Sequence, residues 1–331
     1  MKNKSYICYG IAVLTAILFM CNLFYGSVSI PVTAVMDIFT GHTVERSSWN
    51  SIVLQSRLPQ AITALFAGSA LAISGLMLQT LFHNPLAGPG ILGVSDGANL
   101  GVAIVMLYSG GVISTIIAAF TGALIILVFI LYLSSKVKSN ILVLIIGMMT
   151  GYLASSGISV LNSFASSENI RSYVLWGLGS FSNVSSKQIL LYSLIILIGL
   201  LSSILLVKPL NILLLGERYA TNLGVDVKRI RFLILVITGF LTALVTAFCG
   251  PVGFIGLAVP HIARIALGTS NQQLLLPATL LSGAAVALLC NLMIILPLGN
   301  KLLPLNAVTP LLGAPIIIYV ILSKKNIRYF N

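Results

Sequence analysis

The sequence predicts an all-α, multi-pass membrane protein of about ten transmembrane helices in two inverted five-helix halves. Three observations predict it. Of 331 residues, 58% are hydrophobic and 7% charged, against about a quarter charged in an ordinary soluble domain, and mean hydropathy is +1.08. Charges and Gly/Pro clusters divide the chain into apolar segments near 6–25, 58–81, 92–107, 112–133, 140–164, 189–207, 232–249, 258–268, 274–296 and 304–322. Most approach the ~20 residues a helix needs to cross a bilayer. With the N-terminus in the cytoplasm, thirteen of the eighteen Lys and Arg fall on the cytoplasmic side, and only Arg46, Arg57, Arg171, Lys187 and Lys301 on the other. That asymmetry follows the positive-inside rule and puts both termini inside.

Lys2 and Lys4 precede the first apolar run. The run is long for a signal peptide and no A-x-A site follows, so it reads as a retained span. The second span opens at Arg57-Leu58-Pro59 and runs into Asn84–Ala98, which holds six glycines and prolines. Such backbone cannot continue a helix. The short third span follows it. Span seven opens at Arg231 and ends in a second break, Cys249–Leu257, before the short eighth span. Five spans per half, about 1–187 and 188–331 of a single domain 1–331, force opposite orientations. The first break then faces the cytoplasm and the second faces outward. Paired breaks of this kind point to a transport pathway, because irregular backbone at membrane depth survives only where protein or a water-filled cavity covers it.

Composition also excludes classes of function. A formal net charge of +12 in a soluble protein would suggest nucleic acid; here it sets topology and meets anionic headgroups, and no nucleic-acid partner is expected. The four cysteines, Cys8, Cys21, Cys249 and Cys290, show no metal or disulfide spacing and read as small buried hydrophobes. No Lys, Arg, Asp or Glu is expected deep in a span, which argues against an ion-coupled carrier, although sodium sites built from carbonyls stay open. No clustered His, Asp or Glu suggests a membrane enzyme. The G-x-x-x-x-G-K-[ST] phosphate loop is missing, so uphill transport would draw on ATP held by another subunit.

Several residues are singled out. In the cytoplasmic loop 208–231, Leu215, Tyr219 and Leu223 recur at helical spacing and Gly224 suits a helix end. This amphipathic helix would either enter a partner's groove or lie on the membrane. Span five carries Tyr152, Ser155, Ser159, Asn162 and Ser166 on one helical face. These would line a hydrated path or allow close helix packing. Asp96, with Ser95, is expected to cap the third span. His83 and His261 beside the breaks are read as structural or interfacial. Trp49, Trp176 and the polar segment Ser166–Ser186 suit an outer docking surface.

Arg57-Leu58-Pro59, Gly68–Gly75, Gln79, Asn84–Ala98, Gly216–Gly224, Gly250–Arg264 and Gly313-Ala314-Pro315 together resemble the permease subunits of FecCD-type (type II) ABC importers for iron-siderophores, haem and vitamin B12. The resemblance covers nearly the whole chain. It implies a homodimer in a bacterial or archaeal inner membrane, with one path at its two-fold axis. It implies two cytoplasmic ATPase subunits that hold ATP and Mg, so that no cofactor binds this chain directly, and an external substrate-binding protein. By the same resemblance, Asn84, Leu86 and Asn140 belong to the cytoplasmic gate. Ser155, Ser159, Asn162 and Ser166 line the path, with no metal ligand among them. Gly216, Glu217, Ala220, Leu223 and Gly224 couple to the ATPase. Arg57, with Lys301 as a substitute for missing arginines, docks the binding protein. Where similar permeases often have a second Arg, here stands Gln60. Where they have an Ala-Asp pair and an Arg four residues on, here stand Cys290-Asn291 and Ile295. The chelate expected first is an iron-siderophore, then vitamin B12, then haem. The alternative of another class is an ion-coupled carrier or channel.

Overall fold

The computed structural model describes residues 2–44, 46–108, 114–137, 139–295 and 303–322. Among these every regular element is helical. In chain order they are α1 (Lys2–Phe24), α2 (Val32–Thr40), α3 (Ser47–Ile52), α4 (Leu58–Phe82), α5 (Val94–Ala103), α6 (Thr115–Lys136), α7 (Asn140–Phe164), α8 (Ser167–Gly177), α9 (Ile189–Ile204), α10 (Val207–Leu213), α11 (Glu217–Asn222), α12 (Val227–Cys249), α13 (Ile255–Leu267), α14 (Gln272–Ile295) and α15 (Leu305–Leu322). Each of the ten anticipated spans finds a helix. Six are long and apolar enough to cross a bilayer alone, and α9 with α10 adds a seventh, bent by 51°. The other three, Val94–Tyr108, Ile255–Leu267 and Leu305–Tyr319, are shorter.

The second span begins earlier than its sequence suggests. A π turn, Val53–Arg57, joins α3 to α4, so that helix runs unbroken over Ser47–Phe82. Arg57 sits inside this helix rather than at its mouth, and Pro59 falls where α4 begins. The outer helix α2 was not anticipated. Its Ala34 and Val35 pack with Ile30 and Val53 in a small satellite core.

Packing repeats between the halves with roles exchanged. Helix α4 lies on α14 as α12 lies on α6; α5 lies on α6 as α13 lies on α14; α5 meets α7 as α13 meets α15. Small residues set the closest crossings. Gly68 faces Gly283 across α4 and α14, and Gly97 faces Gly122 across α5 and α6. Membrane helices gain little from hydrophobic contact with one another, so close backbone approach through small residues holds them together.

Polar contacts mark the two ends of the bundle. At one end Lys4 Nζ donates to Gly268 O (3.3 Å), Arg231 Nη1 to Val137 O (3.2 Å) and Gln272 Nε2 to Thr80 Oγ1 (3.2 Å). At the other, Asn306 Nδ2 donates to Gly177 O (2.9 Å) and Pro251 O (2.7 Å), and Ser180 N to Cys249 O (2.8 Å). The first end carries the excess of Lys and Arg, which makes it cytoplasmic.

Candidate functional site

Both breaks leave the helical path and return toward the middle of the bundle. After α4 the chain turns at His83 (φ 47°) and enters α5 through Gly93 (φ 70°), which rests against Gly147 and Thr150 of α7. After α12 it turns at Gly250 (φ 76°), beside Gly179, and enters α13 through Phe254 (φ 66°). Among the described residues, His83 and Phe254 are the two non-glycine positions with positive φ, one in each break. Such backbone is strained for a bulky residue and is held by its surroundings. The two breaks touch. A Cβ placed on Gly256 would lie 2.6 Å from Pro89 Cδ and 2.7 Å from Leu71 O, and one placed on Gly75 would overlap the Gly256 carbonyl.

The first break is fastened to α13. His261 Nε2 lies 2.7 Å from Pro85 O, Arg264 Nη1 donates to Gln79 Oε1 at 2.6 Å and Gln79 Nε2 donates to Leu257 O at 3.1 Å. His261 and Arg264 are buried. Arg264 stands in the last turn of α13, at its cytoplasmic end, and meets a side-chain amide there. Asp96 departs from its expected role. Gly93 occupies the cap position of α5 with no side-chain hydrogen bond to it, and Ser95 Oγ lies 3.3 Å from Thr246 Oγ1. Asp96 stands in the first turn, half-buried beside Gly151 of α7. There its charge faces the positive end of the helix dipole without capping it.

The three gate residues expected from the family lie at the cytoplasmic end. Leu86 is exposed, and its N–H donates to Asn84 Oδ1 (2.9 Å), closing a tight turn. Asn140, the first residue of α7, donates to Leu81 O (2.9 Å) at the end of α4 and also to Glu217 Oε1. Glu217 opens α11 and accepts from buried Arg231 (3.3 Å). One carboxylate thus joins the cytoplasmic loop to the start of the polar helix and to α12, the helix that ends in the second break. Sequence reasoning had counted Glu217 among the coupling residues and had not found this node. Its signal lay in Arg231, noted only as the start of a span.

Helix α11 is shorter than expected, with Gly216 (φ 98°) before it and Gly224 (φ 81°) after it. Among the proposed coupling residues, Ala220 is fully buried and Glu217 turns inward, so both fix the helix to the bundle. Leu215, Tyr219 and Leu223 are 61%, 68% and 63% exposed, an apolar stripe free on the cytoplasmic surface.

On α7, Ser155 and Ser159 are exposed and Asn162 is partly so. Ser159 Oγ donates back to Ser155 O (3.0 Å), and Asn162 Oδ1 is buried without a partner. Ser166 does not continue this face. The helix ends at Phe164, and Ser166 caps α8, its Oγ accepting from Asn169 N (3.3 Å).

At the outer end Arg57 is 5% exposed. Its guanidinium donates to Leu23 O (2.9 Å), Phe24 O (2.9 Å) and Val28 O. A guanidinium engaged in this way ties α1 to α4 and is not presented to a docking protein, which corrects the role given it above. Lys301 lies outside the described residues. Gln60 Nε2 donates to Asn291 Oδ1 (2.9 Å), and Asn291 Nδ2 donates to Asn22 Oδ1 (2.7 Å). The positions where similar permeases carry opposite charges are joined here by neutral amides. Arg57, Gln60 and Asn291 line an outer cavity of about 400 Å³ that also borders Ser180 and Leu305.

The model of the FecCD transport family matches residues 14–323. The chain belongs to the FecCD transport family. It is 36% identical over 277 residues to the vitamin B12 import system permease protein BtuC of Klebsiella pneumoniae, covering 82% of this chain and 83% of the relative. The protein of the same name from Citrobacter koseri is 37% identical over 276 residues, covering 82% and 83%. A solved structure described as an inward-facing conformation of a putative metal-chelate type ABC transporter superposes with a TM-score of 0.83. It is 31% identical and covers 97% of this chain and 99% of that one. This FecCD-family chain is a multi-pass permease of an ABC importer in the cell membrane, and such permeases work with ATPase and binding-protein partners.

Proposed function

We propose that two copies of this chain form one pathway between their α7 helices and import a bulky metal chelate, powered by ATP hydrolysis in partner subunits and not in this chain. The observation that carries this reading is the pair of exposed serines, Ser155 and Ser159, with Asn162 partly exposed beyond them, on a membrane helix. Hydrocarbon leaves such groups only the carbonyls of their own helix, as Ser159 uses Ser155 O, whereas a hydrated path for a large polar cargo offers further partners. Among the described residues no three His, Cys, Asp or Glu side chains converge on a metal site, which favours recognition of the chelate's shell. The vitamin B12 permeases among the relatives favour a corrinoid over the iron-siderophore ranked first on family frequency. The siderophore remains the second reading, supported by the metal-chelate description of the structural relative.

Asn84, Leu86 and Asn140 form the cytoplasmic gate in this proposal. The stripe Leu215–Tyr219–Leu223 enters the ATPase groove, with Gly216, Glu217, Ala220 and Gly224 setting its pose. Uptake of radiolabelled cobalamin and of ferric siderophores in cells lacking the gene tests the reading. A cobalamin defect restored by the wild type, but not by a membrane-inserted Tyr219→Asp/Leu223→Asp variant, supports both cargo and coupling. A selective siderophore defect transfers the assignment to the second reading. Normal uptake of both, with no second importer in the cell, refutes the chelate assignment.

A further inference from the structure

The cytoplasmic ends of α6 and α12 enclose a cavity of about 480 Å³ lined by Lys136, Arg218, Lys228 and Arg231, with Glu217 as its acid. Glu217 and Arg231 satisfy one another across 3.3 Å. The other three cations make no ion pair among the described residues. Lys136 Nζ sits 5.7 Å over the Tyr132 ring. Ser134, Ser135 and Thr221 add hydroxyls, and Leu131 and Phe232 form the wall toward the membrane.

We infer that this cavity binds the phosphate headgroup of an anionic phospholipid, the chemistry being a phosphate anion and the source the cytoplasmic leaflet. Two features favour a lipid over a soluble anion. The cavity opens where two membrane helices leave the bilayer, the level at which basic pockets between helices meet anionic headgroups. Its apolar wall continues along exposed bilayer-facing surface, Val128 and Phe129 on α6 and Phe232 and Leu233 on α12, which gives acyl chains a seam to follow. The seam closes further in, where Gly239 meets Leu127 and Phe120 meets Phe240 edge to face at 6.1 Å. A headgroup seated here touches α11 through Arg218 and Thr221, so lipid occupancy would bear on the position of the cytoplasmic loop. The site is independent of which chelate the protein carries.

The test is native mass spectrometry of the full chain released from detergent and titrated with phosphatidylglycerol, phosphatidylethanolamine, glycerol 1-phosphate or inorganic phosphate. Preferential retention of phosphatidylglycerol is expected. With Lys136→Gln, Arg218→Gln and Lys228→Gln combined, retention should weaken on the order of a hundredfold, since each cation near the surface contributes about fivefold. Arg171→Gln with Lys187→Gln, on the outer face, should leave it unchanged. Equal weakening by the outer pair would show a response to net charge alone and overturn the site. So would unaltered retention in the triple variant. The single Lys136→Gln variant, exposed and without a structural hydrogen bond, should give a several-fold loss even if the triple variant misfolds, and no loss overturns the proposal. Binding of glycerol 1-phosphate or inorganic phosphate as tight as that of the lipid would assign the cavity to a soluble anion instead.

Discussion

The contact between α4 and α13 makes Gly75→Ala the most informative single change. A Cβ at position 75 would occupy the space of the Gly256 carbonyl oxygen, and the next atoms it meets are Gly256 C and Cα. These are backbone, so no side chain can swing aside. Restoring an ordinary separation of ~3.5 Å requires the helices to part by on the order of 1–2 Å. Overpacking of a well-packed core costs about 1–3 kcal/mol. The upper end applies here because the obstructing atoms are rigid and because parting α4 from α13 also loosens buried Leu71, Ala72 and Val259. A destabilisation of about 3 kcal/mol is a shift of roughly a hundredfold in the folded-to-unfolded ratio. Gly90→Ala supplies the comparison. It lies in the first break, its φ is not in the left-handed region, and nothing stands within 4 Å of its Cβ position. Reversible unfolding of both variants in mixed micelles, alongside transport by each in proteoliposomes, measures the difference. Gly90→Ala should match the wild type in stability. If Gly75→Ala is as stable and as active as Gly90→Ala, the close approach of α4 to the second break is not a feature of the protein and the reasoning fails.

Three further outcomes are expected. Arg57→Met should cost about 3 kcal/mol, because the carbonyls of Leu23, Phe24 and Val28 lose a buried charged donor; in the fraction that folds, affinity for the binding protein should be unchanged, and a selective loss of that affinity would return Arg57 to a docking role. Asn291→Leu should destabilise by about 1–2 kcal/mol by stranding the amides of Gln60 and Asn22, while a double-mutant cycle on Gln60 and Asn291 should give a coupling near 0.6 kcal/mol, typical of interhelical hydrogen bonds in membranes. Glu217→Ala should lower transport more than the ATPase rate of the reconstituted complex, because it cuts Asn140 and Arg231 from the loop; Glu217→Gln, whose carbonyl can still accept from Asn140, should recover part of the difference, and equal losses in both rates would show that the node does not couple them.

The helices were legible in the sequence because apolar length is a strong and local signal. Each anticipated span found its helix, and both breaks fell where Gly and Pro cluster. The bend between α9 and α10 was missed because Leu205 and Leu206 carry no punctuation. The start of the second span was missed for the opposite reason: Trp49, Ser51 and Gln55 look like a loop, yet α3 holds the first two and a π turn carries the helix on through Gln55. The cytoplasmic gate and the coupling stripe were legible as motifs, but the directions of side chains within them were not. Glu217 and Ala220 were grouped with Leu223, yet they turn toward the bundle while Leu223 turns away. Arg57 illustrates the general difficulty. A charged residue near the outer end of a span reads as exposed, and its burial depends on carbonyls more than twenty residues away, freed where α1 ends. The Gln60–Asn291–Asn22 chain is non-local in the same way, spanning three helices that no pattern along the chain relates.

The meeting of Pro89 with Gly256 has a consequence for the cell that holds this permease. A path wide enough for a chelate is wide enough for protons and sodium ions, and each elementary charge crossing a potential of 100 mV dissipates about 2.3 kcal/mol. The two breaks pack closely against one another. In the pathway proposed above they would act as an interlock like that of an airlock, in which the movement that opens one door presses on the latch of its counterpart, so that the membrane would keep its voltage while cargo passes.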